Sequence, residues 1–569
     1  MNFESLPNEI LLFLFGYFHS TDLLRAFYRL NTRLNTLIYK QHLFHWFKFS
    51  SIKKNEFDQI CQYDIPRLTN LIYGLHIVEN NLTPGKMNLF FTYIPSFRQF
   101  IGLQSLTLSN VSSSKTLTKI IEKLPHLLNL THLTIDSRIR GKLCFDPQLL
   151  TDTIWNLPKL RHCSLSIYDT RDGTICMPTK ISSTLQSFKR SGCCISIDQL
   201  EQLMKHTPHL KHLSKITIIG EHDCVLPSLS KFISLDISIY NVDNLSTVIS
   251  LLKNLSNLRC LKFSLEYNFI NGYQWEEIIR NYLPNLKTFE LDMKYKVPPD
   301  QNIEECTNQL FNSFQNSFWI NEHQWFIYCD VSDTTIRFST SKRYYSYCHN
   351  RKLPLIWKST NPNDNQQTLY HSIKIIDENF FGRPQPSDLC LSNLSSITIK
   401  FPLPDQFWSI ISNLNHLNTL YVILYEDIYQ LELQNVLNRA IHLRDLHIRQ
   451  DPSIRAPQLS FLSCTSSSIR ALVLIESNYS LDEIECLSFS RTSLANQCEE
   501  CSIKVQNRDC IVILIKNMPN LRALYVHGEK ETFTDENIKL IQWLKVNLSS
   551  KYLITEHPYF PNAIRIWVQ

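Results

Sequence analysis

Glycine is scarce in this chain. It occupies 11 of 569 positions, about 2% against a usual ~7%. No two glycines stand in a G-x-G arrangement. A dinucleotide fingerprint, a P-loop and a kinase-type glycine loop all need glycine where backbone meets phosphate, so those nucleotide sites are excluded. No stretch reaches 18 consecutive apolar residues, and no membrane-spanning helix is expected. H-E-x-x-H, G-x-S-x-G and calcium-loop patterns are missing too. Charge of one sign is also lacking. The chain carries 57 basic and 52 acidic residues, net +5, too mild to argue by itself for nucleic acid or an anionic membrane.

What is present is apolar: 43% of residues against 19% charged, enough for a large core. At about 150 residues per domain the length suggests about four domains, a count that a repeat array would override. The 17 cysteines are odd in number and scattered, which reads as buried thiols in a reducing compartment, cytoplasmic or nuclear. The run Ile10–Phe18 has the greasiness of a signal peptide core. However, Glu4 and Glu9 precede it, no basic residue does, and no small-x-small cleavage site follows. Secretion remains an alternative, and only then would the glycosylation triplets at Asn81, Asn129, Asn244, Asn254 and Asn478 matter.

Residues 1–45 read as three short helices. Ser5 is positioned to cap the first and Pro7 to sit in its first turn. Leu11, Leu14, Phe15 and Phe18 form an apolar stripe at i, i+3, i+4, i+7. Leu23, Phe27 and Leu30 continue after Ser20-Thr21-Asp22, and Leu34, Leu37 and Ile38 mark a third helix. Three helices of about ten residues bury little surface, so the unit invites a partner. The segment resembles an F-box. The pattern Leu-Pro-x-Glu-(Ile/Leu)-Leu, an apolar pair, then Asp-Leu is matched by Leu6, Pro7, Glu9, Ile10, Leu11, Leu14, Phe15, Tyr17, Phe18, Asp22, Leu23 and Leu24. In the third helix, Leu30-Asn31-Thr32-Arg33-Leu34 replaces the family's Cys-basic-x-Trp.

Beyond this point the chain repeats itself. L-x-x-L-x-(L/I) segments recur as LQSLTL, LTHLTI, LRCLKF, LKTFEL, LSSITI, LNTLYV, LRDLHI, IRALVL and LRALYV. Leu106 to Leu133 is 27 residues, Leu235 to Leu261 is 26, Leu261 to Phe289 is 28, and Leu420 to Leu446 to Leu472 is 26 each. Periods in the twenties are those of leucine-rich repeats. Apolar groups at helical spacing precede the strands: Leu117, Ile120, Ile121, Leu124; Leu245, Val248, Ile249, Leu252; Trp275, Ile278, Ile279, Tyr282; Phe407, Ile410, Ile411, Leu414; and Cys510, Ile513, Leu514. Each unit is one helix and one short strand, neither able to bury its apolar side alone. The fold class expected is an α/β solenoid: a three-helix F-box, then a leucine-rich repeat horseshoe with a β-rich insertion.

The layout expected is 1–45 F-box, 46–100 linker helix and N-terminal cap (a first imperfect repeat around Leu75 and Ile77), 101–296 repeats, 297–390 insertion or degenerate repeats, and 391–569 repeats. Within the insertion, a helix over Ile303–Phe318 and strands in WFIYCDV, TTIRFST, LPLIWKS and HSIKIID are expected.

Two segments carry possible site chemistry. Cys498-Glu-Glu-Cys501, with Cys510 nearby, resembles half a zinc site, but no second pair lies at the expected distance, so the cysteines read as repeat core. Lys342, Arg343, Arg351 and Lys352 interleave with Tyr344, Tyr345 and Tyr347, a pattern that could serve phosphates and bases, a wet hairpin face or a protein partner. No metal, cofactor or catalytic residue is expected, and nucleic acid is not expected as a partner.

Strand alternation sends every second side chain to the face opposite the leucines. Lys262, Glu290, Asp292, Lys400, Tyr421, His447, Arg449, Tyr525 and His527 are therefore expected on a concave face that holds a protein substrate. The F-box resemblance implies that Leu6, Pro7, Glu9, Ile10, Leu11, Leu14, Phe15, Asp22, Leu23 and Leu24 contact the small adaptor of an SCF-type cullin–RING ubiquitin ligase. The chain would be its non-catalytic substrate-recognition subunit. The alternatives are a repeat scaffold without ubiquitin transfer and a secreted repeat binding protein.

Overall fold

The computed structural model describes residues 5–18, 20–28, 30–40, 46–49, 52–137, 139, 146–167, 176–219, 229–240, 245–332, 334–341, 356–382, 385–424, 429–450, 460–475, 480–528, 537–549, 551–557, 560 and 563–568. They fall into two compact units, Met1–Phe263 with Ile278–Thr288, and Ser264–Glu277 with Phe289–Gln569. The chain is mixed α/β, its strands mostly parallel.

The first unit opens on three helices, α1 (Asn8–Phe15), α2 (Ser20–Ala26) and α3 (Thr32–Lys40). The N-cap of α1 is Pro7 rather than Ser5, and the Leu11 amide donates to the Pro7 carbonyl at 3.1 Å. Leu11, Phe15, Leu23, Leu24, Leu34 and Ile38 are buried together. Arg33 ties α3 back to the start, donating to Asn8 Oδ1 at 2.9 Å and to the Leu6 carbonyl at 2.6 Å.

The parallel ladder starts earlier than residue 101. Strands β1 (Trp46–Phe49) and β2 (Gly74–Val78) pair in parallel, and β2 pairs with β3 (Ser105–Val111). Gly74 is needed here, because a Cβ would lie 2.3 Å from the Trp46 ring. Then follow β4 (His132–Ser137), β5 (His162–Ile167), β6 (Ser187–Ser191), β7 (Cys194–Ile195), β8 (His212–Ile219), β9 (Ser234–Tyr240) and β10 (Cys260–Glu266). Their order is β1-β2-β3-β4-β5-β6-β8-β9-β10, with β7 beside β8.

Register locks like onto like. Leu106 faces Leu133, then Cys163, Phe188, Leu213 and Leu235, one per strand, all buried. The helix Ser114–Lys123 lays Leu117, Ile120 and Ile121 on this row's side. Each such side chain contributes roughly 1.5–3 kcal/mol when fully buried.

The turn before the strand carries a second regularity. Asn129 Nδ2 donates to the Ile101 carbonyl, Asn257 to Ser230 and Asn285 to Ser256, at 2.7 to 3.1 Å. Asn393 and Asn520 do the same in the second unit, to His371 and Asn496. Where an asparagine precedes the leucine of this turn, it thus ties its repeat to the one before.

In the second unit, β11 (Thr288–Lys296), β12 (Tyr328–Ser332), β13 (Thr335–Ser339) and β14 (Ile356–Ser359) form the antiparallel order β11-β13-β12-β14. The helix Ile303–Asn312 is capped by Asn302, and a separate turn follows at Phe318–Glu322. Gly272 admits close packing: its amide donates to Ser313 Oγ at 2.8 Å, and a Cβ would lie 2.2 Å from the Ser313 carbonyl.

A parallel sheet then resumes with β15 (Ile375–Ile376), β16 (Ser396–Lys400), β17 (Thr419–Leu424), β18 (Asp445–Gln450), β19 (Ala471–Val473), β20 (Glu500–Lys504) and β21 (Ala523–His527). It ends antiparallel, β21 pairing with β23 (Ala563–Trp567) and β23 with β22 (Leu553–Glu556). Two expected elements shrink. His371 and Ser372 close the helix Gln366–Ser372, leaving only Ile375–Ile376 extended. The helix at Phe407 lasts one turn, because Ile411 turns extended to bridge Leu391. Among the described residues no helix is long and apolar enough to cross a membrane.

Candidate functional site

The second unit carries a hollow on its open sheet face. Register aligns Thr398, Tyr421, His447 and Val473 across β16–β19. On either side run the buried rows Ile397–Leu420–Leu446–Leu472 and Ile399–Val422–Ile448. The alternation of strand faces thus pushes the aligned row outward. Tyr421 and His447 stack with ring centroids 4.2 Å apart. Glu378, Thr398, Ile423, Arg449 and Val473 line the rest of a cavity of about 120 Å³.

Burial pushes the His447 imidazole down to about 4, so it is neutral at pH 7. The stacked pair is therefore an uncharged planar platform with a carboxylate and a guanidinium at its margin. Such a hollow accepts one side chain of a partner, by stacking and directed hydrogen bonds.

Of the residues expected on this face, Tyr421, His447 and Arg449 meet at the hollow. Lys400 shares the row of Ile423 and Arg449 and is exposed. Lys262 and Glu290 are half-buried and already engaged by neighbours.

Three placements correct the expectation. Asp292 is clamped by the buried Arg337, Nε to Oδ1 at 2.7 Å and Nη2 to Oδ2 at 2.8 Å. The antiparallel pairing of β11 with β13 brings that guanidinium in. Tyr525 is buried, with His557 at 6.1 Å between ring centroids. His527 packs on His557 and Phe560. The end of the chain thus covers what alternation alone would expose. His527 is pushed down to about 4, by burial and then by Lys504. His557 falls to about 3 through burial, then Arg565 and His527.

The N-terminal expectations divide likewise. Leu11, Phe15, Leu23 and Leu24 are buried in the chain's own core, so they hold the helices together rather than present a surface. Pro7, Glu9 and Ile10 are exposed, while Leu6, Leu14 and Asp22 are half-buried. The exposed apolar stripe is Ile10 (47%), Phe13 (64%) and Tyr17 (72%), at i, i+3, i+7, with Phe18 (45%) beside it. The Phe13 and Tyr17 rings meet edge to face at 5.2 Å. Phe13 was not among the expected contacts. Its signal was there, since α1 is apolar all round and needs cover on both sides.

Cys498, Cys501 and Cys510 are fully buried, and burial pushes the Cys498 thiol up to about 12. Among the described residues no three His, Cys, Asp or Glu side chains gather as a metal site. The stretch Lys342–Lys352 lies outside the described residues up to Arg351 and Lys352 inclusive.

No protein-family model matches the chain, and no curated protein matches it. Among solved structures it is similar to a chain of the crystal structure of a TLR13–ssRNA13 complex, at 13% identity and a TM-score of 0.26. That likeness covers 82% of this chain and 57% of the other, so the chain spans little more than half the length of its counterpart.

Proposed function

We propose that this chain is a non-catalytic protein-binding scaffold with a leucine-rich-repeat-like sheet. More finely, we read it as the substrate-recognition subunit of an SCF-type cullin–RING ubiquitin ligase. The observation that carries the finer reading is the stripe Ile10, Phe13, Tyr17, Phe18, solvent-exposed within a segment that resembles an F-box. An exposed apolar patch of this kind costs solubility unless a partner covers it. In this reading the adaptor covers it, and the hollow at Tyr421 and His447 anchors a protein substrate.

The chain would then work by proximity, holding a substrate lysine near a charged conjugating enzyme supplied by others. It would do so in the cytoplasm or nucleus. A repeat scaffold without ubiquitin transfer is the second reading. It is favoured by the burial of Leu11, Phe15, Leu23 and Leu24, which removes part of the expected contact surface.

The test is co-purification of the full chain with the adaptor and cullin. Phe13→Ala with Tyr17→Ala should abolish capture while leaving the melting temperature nearly unchanged, since both rings are exposed. Capture by the wild-type chain that survives the double substitution undiminished would remove this stripe as the adaptor surface. No capture at all would leave the plain scaffold.

A further inference from the structure

Among the described residues, the first unit has a row of cations that form no ion pair. Where each strand begins, a main-chain carbonyl accepts two successive amides from the next repeat. The residues supplying these carbonyls stack into one line. Arg161, Gln186, Lys211, Ile233 and Arg259 follow one another along it, and Lys287 donates its amide to the last of them. Arg161, Lys211, Arg259 and Lys287 are exposed, and among the described residues their side chains make no hydrogen bond or ion pair. By contrast Lys215, on β8, is spent on Asp236 at 3.6 Å.

The adjacent row, read from His132 through His162, Ser187 and His212 to Ser234, carries only imidazole and hydroxyl groups. Burial holds His162 and His212 below the usual histidine value, so they are neutral hydrogen-bonding groups at pH 7. No acidic residue stands in either row.

We infer that this line is a docking track for an extended, acidic protein segment. Charge complementarity points to the sign of the partner. The spacing points to its pattern. Strands lie about 4.8 Å apart, so Arg161 to Lys211 and Lys211 to Arg259, two strands each, span about 10 Å. An extended peptide rises about 3.3 Å per residue, so carboxylates at every third residue match Arg161, Lys211 and Arg259, with Lys287 one strand, about 5 Å, beyond the last. Tyr73 and Trp46 stand further back in these rows, but from Arg161 to Lys287 the cationic line holds no Phe, Tyr or Trp on which bases could stack, which favours a peptide over a nucleic acid. This deepens the scaffold reading and rests on it, but needs no adaptor.

The test uses the full chain and a fluorescent peptide of four Asp-Gly-Ser repeats, read by anisotropy at low ionic strength. An Asn-Gly-Ser peptide and an oligothymidylate of similar charge serve as comparison arms. The Asp peptide should bind at least tenfold more tightly than the Asn peptide and weaken as salt rises. Replacing Arg161, Lys211, Arg259 and Lys287 together by Gln should weaken it about tenfold or more. Arg161→Lys with Lys211→Arg should retain binding. If the fourfold variant melts early, the pairs Arg161→Gln/Lys211→Gln and Arg259→Gln/Lys287→Gln take its place.

Equal binding of the Asn peptide, an unaffected Gln variant, or an oligothymidylate that outcompetes the peptide overturns the inference. Adaptor capture is measured on the same preparations. Capture without peptide binding defeats this inference alone, and peptide binding without capture defeats only the ligase reading.

Discussion

Side chains that alternation places on one face differ in what surrounds them. Tyr421 and His447 line a hollow and are half-buried, whereas Tyr525, two strands from the sheet's end, is buried. Nothing near Tyr525 in the chain announces this, because the ring beside it comes from His557, which in turn packs on Phe560. Asp292 looked equally free, and its partner Arg337 lies 45 residues away.

The same burial has a measurable consequence for histidine. His447 titrates near 4 in the fold against about 6.5 unfolded. Between these values the unfolded chain binds more protons, so folding stability is full above about pH 6.5 and falls as pH drops towards 4. His527, near 4, acts in the same direction. Thermal melts should therefore show a falling midpoint from pH 7 to pH 4.5. His447→Gln should make that fall shallower, and an identical slope in the variant would remove His447 from the account.

Within an element, apolar periodicity is the dependable signal. Leu117, Ile120 and Ile121 mark a helix, and Leu133 and Ile135 mark the inner face of β4. Even the break in β8 can be read in this light. Leu213, Ile216 and Ile218 are all buried although their spacing is three and then two. A bulge at Lys215, with φ of 63°, takes up the extra residue. Leu133→Ala should cost about 2–5 kcal/mol in urea unfolding, through lost burial and a cavity. Thr134→Ala, on the open face of the same strand, should change stability by less than about 0.5 kcal/mol. Similar losses at both positions would contradict the assignment of faces. The apolar group at Phe407 misled, because a helical spacing of four residues does not reveal that Ile411 is recruited to a bridge with Leu391.

For the molecule as a whole, the ends of the repeat array decide solubility. A strand left unpaired at a sheet edge is a template for association. In the second unit the tail meets this need, with β23 pairing against β21 and burying Ile564, Ile566 and Trp567. A chain ending at residue 549 should therefore elute as larger species in size-exclusion chromatography with light scattering. Elution unchanged apart from the lost mass would show that this pairing does not guard the edge. At the other end, α1 presents Phe13 and Tyr17 outward while Leu11 and Phe15 face inward. The segment's greasiness was legible, but the division of its faces was not, because a helix apolar all round has no polar side to orient it.

The order of residues settled the period, the strand–helix unit and the sheet's two faces, because burial of a leucine every second or fourth position is a local demand. Which outward residues stay accessible was settled by the folded chain. Arg337 reaching Asp292, the tail covering Tyr525, and Arg161, Lys211, Arg259 and Lys287 falling into line all depend on distances between segments remote in sequence, and such distances exist only once the repeats have stacked.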